Sequence, residues 1–122
     1  MTARLSIKRV YEPVGDSDGR RILVDRIWPR GLTKEKASVD LWLKDVAPST
    51  ELRKWYGHDA EKWAEFRERY MHELRLAPDA LDRLRREIAG GPSTLVFAAH
   101  DAARSNAAVL VEALGAIHAE KE

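Results

Sequence analysis

Residues 21–31 read Arg-Ile-Leu-Val-Asp-Arg-Ile-Trp-Pro-Arg-Gly, and this stretch gives the clearest indication of how the chain folds. Its apolar start, Ile22 to Val24, is typical of a buried β-strand. Its end mixes charges, an aromatic ring and turn residues, which a strand serving only the core does not need. In open α/β sheets, ligands bind beyond the carboxyl ends of the strands. We therefore expect a strand over residues 21–27 that ends at a binding site.

A second apolar run, residues 94–99, ends in the same way. It reads Thr-Leu-Val-Phe-Ala-Ala and is followed by His100, Asp101, Arg104 and Asn106. The segment between the two strands is long and helical in pattern, which allows the strands to be parallel. We therefore expect the two strand ends to lie side by side and to form one site.

The rest of the chain predicts a single α/β domain over residues 1–122. A small parallel or mixed sheet should be flanked by helices in three layers. The loop over 12–20 is too short for a crossover helix, so the strands at 5–11 and 21–27 are predicted to be antiparallel neighbours. Further elements are expected at 34–37, 50–56, 60–75, 78–89 and 102–118 as helices, and at 40–46 as a short strand or edge segment. The predicted helix caps are Thr33, Ser49, Asp59 and Asp101.

The composition narrows the class of protein. The 21 Lys and Arg residues nearly balance the 20 Asp and Glu residues, so net charge gives no reason to expect a polyanion partner. There is no cysteine, which removes disulfides and thiol chemistry and is compatible with a cytoplasmic location. Neither a secretory signal nor a membrane-spanning apolar stretch is evident, so no membrane association is expected. The sequence predicts no oligomeric state.

The candidate catalytic residues are His100 and Asp25. Histidine suits proton transfer near neutral pH, and His100 closes a strand where a helix begins. Asp25 or Asp101 would orient its ring. In the alternative interpretation, Asp25 and Arg26 form an ion pair that braces the loop, and Asp101 only caps the following helix. Whether the protein is an enzyme stays open at this point.

The candidate ligand-binding residues are mostly cationic and suit a small anion bearing phosphate or carboxylate. Arg30 follows the turn at Pro29 and is the freest to reach a ligand through paired N–H donors. Arg104, in the first turn of a helix, is unfavourable there unless a carboxylate or an anion lies nearby. Alternatively, Arg104 pairs with Asp101 or Asp25. The complete predicted set is Arg26, Arg30, Arg104, Asn106, Trp28, Tyr56 and His58.

No metal or cofactor site is predicted. The histidines at positions 58, 72, 100 and 118 lack the spacing of a metal-binding motif. The chain also lacks a phosphate-binding loop, a dinucleotide glycine fingerprint and a nucleophile elbow. The basic group Arg83, Arg85 and Arg86 is interpreted as a solvated helix face, so nucleic acid is a disfavoured partner.

Several long runs resemble a known family. They are Val-Tyr-Glu-Pro at 10–13, the stretch at 21–31, Asp-Leu-Trp-Leu-Lys-Asp-Val-Ala-Pro-Ser at 40–49, Glu-Leu-Arg-Lys-Trp-Tyr-Gly-His-Asp at 51–59, and Thr-Leu-Val-Phe-Ala-Ala-His-Asp at 94–101. Together they are similar to the YeaO-like branch of domain of unknown function 488, over about residues 4–115. The resemblance implies a small bacterial cytosolic α/β domain with no assigned activity or catalytic residue. The main alternative to an enzyme is a non-catalytic regulatory or partner-binding module, including a nucleic-acid-associated protein in which Arg83, Arg85 and Arg86 contact phosphates.

Overall fold

The computed structural model describes residues 5–121, and the side chains of residues 5–115. The expectations for residues 1–4, for residue 122 and for the side chain at position 118 lie outside these residues. The strands β1 (Leu5–Arg9), β2 (Arg20–Leu23), β3 (Leu41–Trp42) and β4 (Ser93–Phe97) form one parallel sheet in the order β1-β4-β2-β3. The predicted α/β class, with a small sheet and flanking helices, is confirmed.

The predicted antiparallel pairing of the first two strands is wrong. β4 lies between β1 and β2 and pairs with both in parallel. The intervening loop contains no helix, as expected, yet it carries the chain across one sheet position to the far side of β4. Buried Arg21 anchors this crossing, because its Nη1 donates to Asp18 at 2.9 Å and its Nη2 to the carbonyl of Val10 at 3.2 Å.

All five predicted helices are present. The helices are α1 (Lys34–Ala37), α2 (Thr50–Tyr56), α3 (Trp63–Leu76), α4 (Pro78–Ala89) and α5 (Asn106–Lys121), with short 3-10 turns at Lys44–Val46, Ala60–Lys62 and Ala102–Arg104. Thr33 caps α1 and Ser49 caps α2, as predicted. Gly57 ends α2 with φ 53°, a left-handed conformation that favours glycine.

Two helix starts and four strand lengths differ from the predictions, and the first strand, expected over 5–11, ends at Arg9. Asp59 and Asp101 each cap a 3-10 turn, and the long helices α3 and α5 begin only after these turns. At the start of α5, Ser105 Oγ accepts from Ala108 N at 3.2 Å. The strands expected over 21–27 and 94–99 end at Leu23 and Phe97. The element expected over 40–46 has only two strand residues before a 3-10 turn.

The two faces of the sheet are covered unequally. Successive residues of a strand point to opposite faces. Ile22 and Leu95 therefore pack into a large core with residues of α2, α3, α4 and α5. Leu23 and Val96 pack on the other face with Ala37 of α1 and with loop residues. The molecule thus has a helical layer, the sheet, and a thinner layer of loops around α1.

The thin layer contains a buried ion network centred on Arg21, whose exposed fraction is 1%. Its Nε and Nη2 donate to the carbonyl of Ala37 at 3.3 and 3.0 Å. Its partner Asp18 also accepts from Lys8 Nζ at 3.1 Å and from Gly15 N at 3.1 Å. Burial alone would raise the pKa of Asp18, but these donors outweigh it and hold that pKa below the ordinary 3.8.

Replacing Arg21 should destabilise the protein far more than replacing its neighbour Arg20. We expect Arg21→Met to lower the free energy of unfolding by about 3–5 kcal/mol, because buried Asp18 would lose one of its two cationic partners and the carbonyls of Val10 and Ala37 would lose their donors. Arg20 is partly exposed and pairs with Glu87 at 3.1 Å, so Arg20→Met should cost about 1 kcal/mol or less. Urea unfolding followed by circular dichroism measures both. Equal losses of unfolding free energy in the two variants would contradict the conclusion that the buried network of Arg21 stabilises the fold more than the exposed pair of Arg20 and Glu87.

Candidate functional site

The carboxyl ends of β2 and β4 lie side by side, as the sequence analysis expected. Leu23 pairs with Val96, and Val24 N donates to the carbonyl of Val96 at 3.2 Å. One step further, the side chain of Asp25 replaces a backbone partner and accepts from Ala98 N at 2.8 Å. This side-chain bond explains why the regular ladder ends earlier than the apolar runs predict.

A cavity of about 420 Å³ lies at these two strand ends, and its size is within the range of small-molecule pockets. Its lining contains all nine residues that the sequence analysis proposed: Asp25, Arg26, Trp28, Arg30, Tyr56, His58, His100, Arg104 and Asn106. Tyr11 and Arg53 also line the cavity and were not predicted. Arg53 lies three residues before Tyr56 on α2, and this spacing places both on one helix face, so the signal was present.

Asp25 is the only acidic residue among the described residues that line the cavity. Besides the bond from Ala98, its Oδ1 accepts from Asn106 Nδ2 at 3.0 Å, and the same nitrogen donates to the carbonyl of Val24 at 2.9 Å. Burial raises the pKa of Asp25 above 3.8, because it outweighs these two donors and the nearby His58. One carboxylate therefore connects β2, β4 and α5 and also borders the cavity.

Arg26 does not pair with Asp25. Its Nε donates to the carbonyl of Pro48 at 3.1 Å, and its Nη2 donates to the carbonyl of Ala47 at 3.2 Å. Arg26 therefore fixes the loop after β2 against the segment that precedes α2. The bracing role considered for this residue exists, but backbone carbonyls are its partners.

Three other arginines of the lining are exposed. Within the described part of the chain, the guanidinium groups of Arg30 and Arg53 have no hydrogen-bond or ion-pair partner. Arg104 Nη1 lies 3.8 Å from Asp101 Oδ2, which is one of the alternatives considered for it. An exposed pair at that distance contributes little and is easily exchanged for a ligand.

His100 lies beside Arg9 of β1 rather than beside a carboxylate. Its Nδ1 is 3.4 Å from Arg9 Nη2, and Arg9 Nε also donates to the carbonyl of Ala99 at 2.9 Å. Because a guanidinium only donates, this contact places the lone pair on Nδ1 and the hydrogen on Nε2. Among the described contacts, neither Asp25 nor Asp101 reaches the ring, so the proposed orientation of His100 by either one is wrong.

The aromatic residues form an apolar side of the cavity. Tyr56 stacks on Phe66 with ring centroids 4.3 Å apart and planes at 26°. Burial raises the pKa of the Tyr56 hydroxyl. Trp28 borders the cavity and also packs edge-on against Trp42 at 5.3 Å, so its core and lining interpretations both hold.

His58 lies on the turn between α2 and the following 3-10 turn. Its φ is 61°, in the left-handed region that non-glycine residues seldom adopt and histidine tolerates better than most. Its ring centroid is 6.2 Å from that of Tyr56. Such backbone strain is often found at binding sites, where the surrounding structure holds it.

Two larger clefts, of about 690 and 810 Å³, lie away from the ends of β2 and β4. Arg83 lies 3.6 Å from Glu87 and Arg85 lies 2.8 Å from Asp82, so much of the basic helix face is neutralised by its own helix. Within residues 5–115, no group of three His, Asp or Glu side chains could hold a metal ion. No helix in the described part of the chain has the length and apolar character needed to cross a membrane.

The fold and the cavity define a small α/β protein with a parallel sheet and a cationic cleft at its carboxyl edge. A family model described as the inactive DUF488-N3 subclade matches residues 4–122, and the chain belongs to this family. It is 48% identical over 111 residues to an uncharacterised protein of Mycobacterium tuberculosis, covering 91% of this chain and 93% of that protein. It is 42% identical over 108 residues to uncharacterised YeaO of Escherichia coli, covering 88% and 94%. No solved structure gives a significant match.

The raised pKa of Asp25 should be visible in the pH dependence of stability. The folded chain holds the Asp25 proton more tightly than the unfolded chain, so this residue's contribution is lost as pH rises from about 3.8 through the raised pKa. We expect the unfolding free energy of the wild type to fall relative to Asp25→Asn across that window and to stay level above it. Carboxyl ¹³C shifts measure the Asp25 pKa directly, and a midpoint at or below 3.8 would contradict the burial argument.

Proposed function

We propose that this protein binds a small anionic ligand, bearing phosphate or carboxylate, in the cavity at the ends of β2 and β4. The observation that carries the proposal is that Arg30 and Arg53, beside a partly apolar cavity, have guanidinium groups with no partner among residues 5–115. Arginine side chains without acidic neighbours can bind a carboxylate or phosphate by donating two parallel N–H hydrogen bonds to it.

The charge balance of the lining supports an anion rather than a cation. Arg26, Arg30, Arg53 and Arg104 border the cavity, and Asp25 is the only acid there among the described residues. The guanidinium of Arg26 is held by carbonyls, so its charge is retained while its position is fixed. A concave, partly apolar surface lowers the local dielectric constant and so strengthens the attraction between these arginines and an anion.

We further propose binding without turnover. The family to which the chain belongs is described as inactive. His100 has an arginine rather than a carboxylate beside its ring, so it offers an Nε2 hydrogen to a ligand instead of acting as a general base. Asp25, the other proposed catalytic residue, has a structural role at the junction of β2, β4 and α5. A cytoplasmic location is also proposed, because the absence of cysteine suits a reducing compartment.

Removal of either Arg30 or Arg53 should weaken anion binding without unfolding the chain. We expect phosphate and ribose 5-phosphate to raise the midpoint of thermal unfolding of the wild type; a ligand at 100 times its Kd stabilises by about 2.7 kcal/mol. Arg30→Ala and Arg53→Ala should lose most of that shift. Arg75→Ala, which removes an exposed arginine outside the cavity, should retain it.

Equal shifts in Arg75→Ala, Arg30→Ala and Arg53→Ala would mean that anions act on the protein elsewhere. No shift with any phosphorylated or carboxylated ligand would remove the proposed function altogether. Each variant is compared with the wild type by circular dichroism without ligand, so that a loss of folding is not mistaken for a loss of binding.

A further inference from the structure

The cavity contains an acceptor that an anionic ligand alone does not explain. A carboxylate has about four lone-pair positions on its two oxygens. In Asp25, Oδ2 receives Ala98 N and Oδ1 receives Asn106 Nδ2. Within the described residues this leaves acceptor capacity on both oxygens, at a group that borders the cavity. Further hydrogen-bond donors would stabilise a half-buried carboxylate, and a bare phosphate or simple carboxylate ligand supplies none.

Resting on the proposed anion site, we infer that the ligand is a guanine nucleotide, with its base at Asp25 and its phosphate at Arg30 and Arg53. The two oxygens of a carboxylate match two parallel N–H donors, as they do in an arginine–carboxylate pair. Guanine presents such a pair, N1–H and the N2 amino group, on its Watson–Crick edge. Adenine and cytosine each present an amino group beside a ring-nitrogen acceptor, and that acceptor would face the second oxygen. Uracil presents a single N–H between two carbonyls.

The remainder of the cavity suits the other parts of such a ligand. Much of the lining is apolar, including Phe66 and Trp28, and a flat base has two apolar faces to bury. The hydroxyl of Tyr56 has no hydrogen-bond partner among the described residues and is available to a ribose hydroxyl. A volume of about 420 Å³ is compatible with a nucleoside monophosphate.

The series of ligands that tests the inference uses the unmodified protein. Isothermal titration calorimetry in a phosphate-free buffer compares guanosine, inosine and adenosine monophosphates with ribose 5-phosphate. Inosine monophosphate lacks only the N2 amino group, and a hydrogen bond to a charged acceptor accounts for about a tenfold to hundredfold change in Kd. We expect guanosine monophosphate to bind tightest, inosine monophosphate to be weaker by about that factor, and adenosine monophosphate to be weaker still.

Failure of this inference and failure of the proposed function give different results. Adenosine monophosphate or ribose 5-phosphate binding as tightly as guanosine monophosphate would overturn the guanine assignment and leave the anion site standing. Binding by none of these ligands would remove both.

A variant then locates the base within the cavity. Asp25→Asn should bring guanosine and adenosine monophosphates to similar affinities, since one carboxylate oxygen becomes a donor, and the ratio of their two Kd values is the readout. Asp45→Asn, at an exposed acid outside the cavity, should preserve the preference for guanine. A guanine preference that survives Asp25→Asn would overturn the assignment. If that variant does not fold, the ligand series on the wild type decides the question.

Discussion

Arg21 is enclosed by Asp18 and by the carbonyls of Val10 and Ala37 on the sheet face away from the long helices. Its donors are all directed at groups from the loop after β1 or from α1. These contacts hold the loop in a crossing that carries the chain from β1 to a parallel strand two positions away. A position for β4 is thereby left between β1 and β2. The placement of the cavity depends on this arrangement, because the cavity lies where β2 and β4 end together.

The site and the fold share one carboxylate. Asp25 ends the hydrogen-bond ladder between β2 and β4 and accepts a hydrogen bond from Asn106, the first residue of α5. The same carboxylate borders the cavity. Around it, Arg26 is held rigidly by carbonyls, whereas Arg30 and Arg53 have no partner in the described part of the chain. A fixed acceptor surrounded by free donors is an arrangement suited to orienting a ligand with two different ends. The strained backbone of His58 lies on the same cavity.

The positions of individual strands and helices could be predicted from the sequence, whereas the order of the strands in the sheet could not. The apolar runs located β2 and β4, and Ser49 with Gly57 bounded α2. All nine proposed lining residues meet at one cavity. Seven of them follow β2 or β4, and residues after two neighbouring parallel strands lie at the same edge of the sheet; Tyr56 and His58 come instead from the end of α2 and the turn after it. Strand order was not predictable, since it depends on a buried arginine whose partners are spread over the loop and α1. The start of α5 was missed because Asp101 and Ser105 are both good caps, and only packing chooses between them.

The position of β4 in the sheet has a consequence for biosynthesis. β4 is the last strand in the chain, yet it is the neighbour of both β1 and β2. On the ribosome, the two early strands emerge with hydrogen-bonding edges that have no native partner until Phe97 has been translated. Because the closing contacts are far apart in sequence, sheet assembly is a late and concerted event. Nascent chains that pause before that point expose unpaired strand edges, which are templates for pairing with other chains.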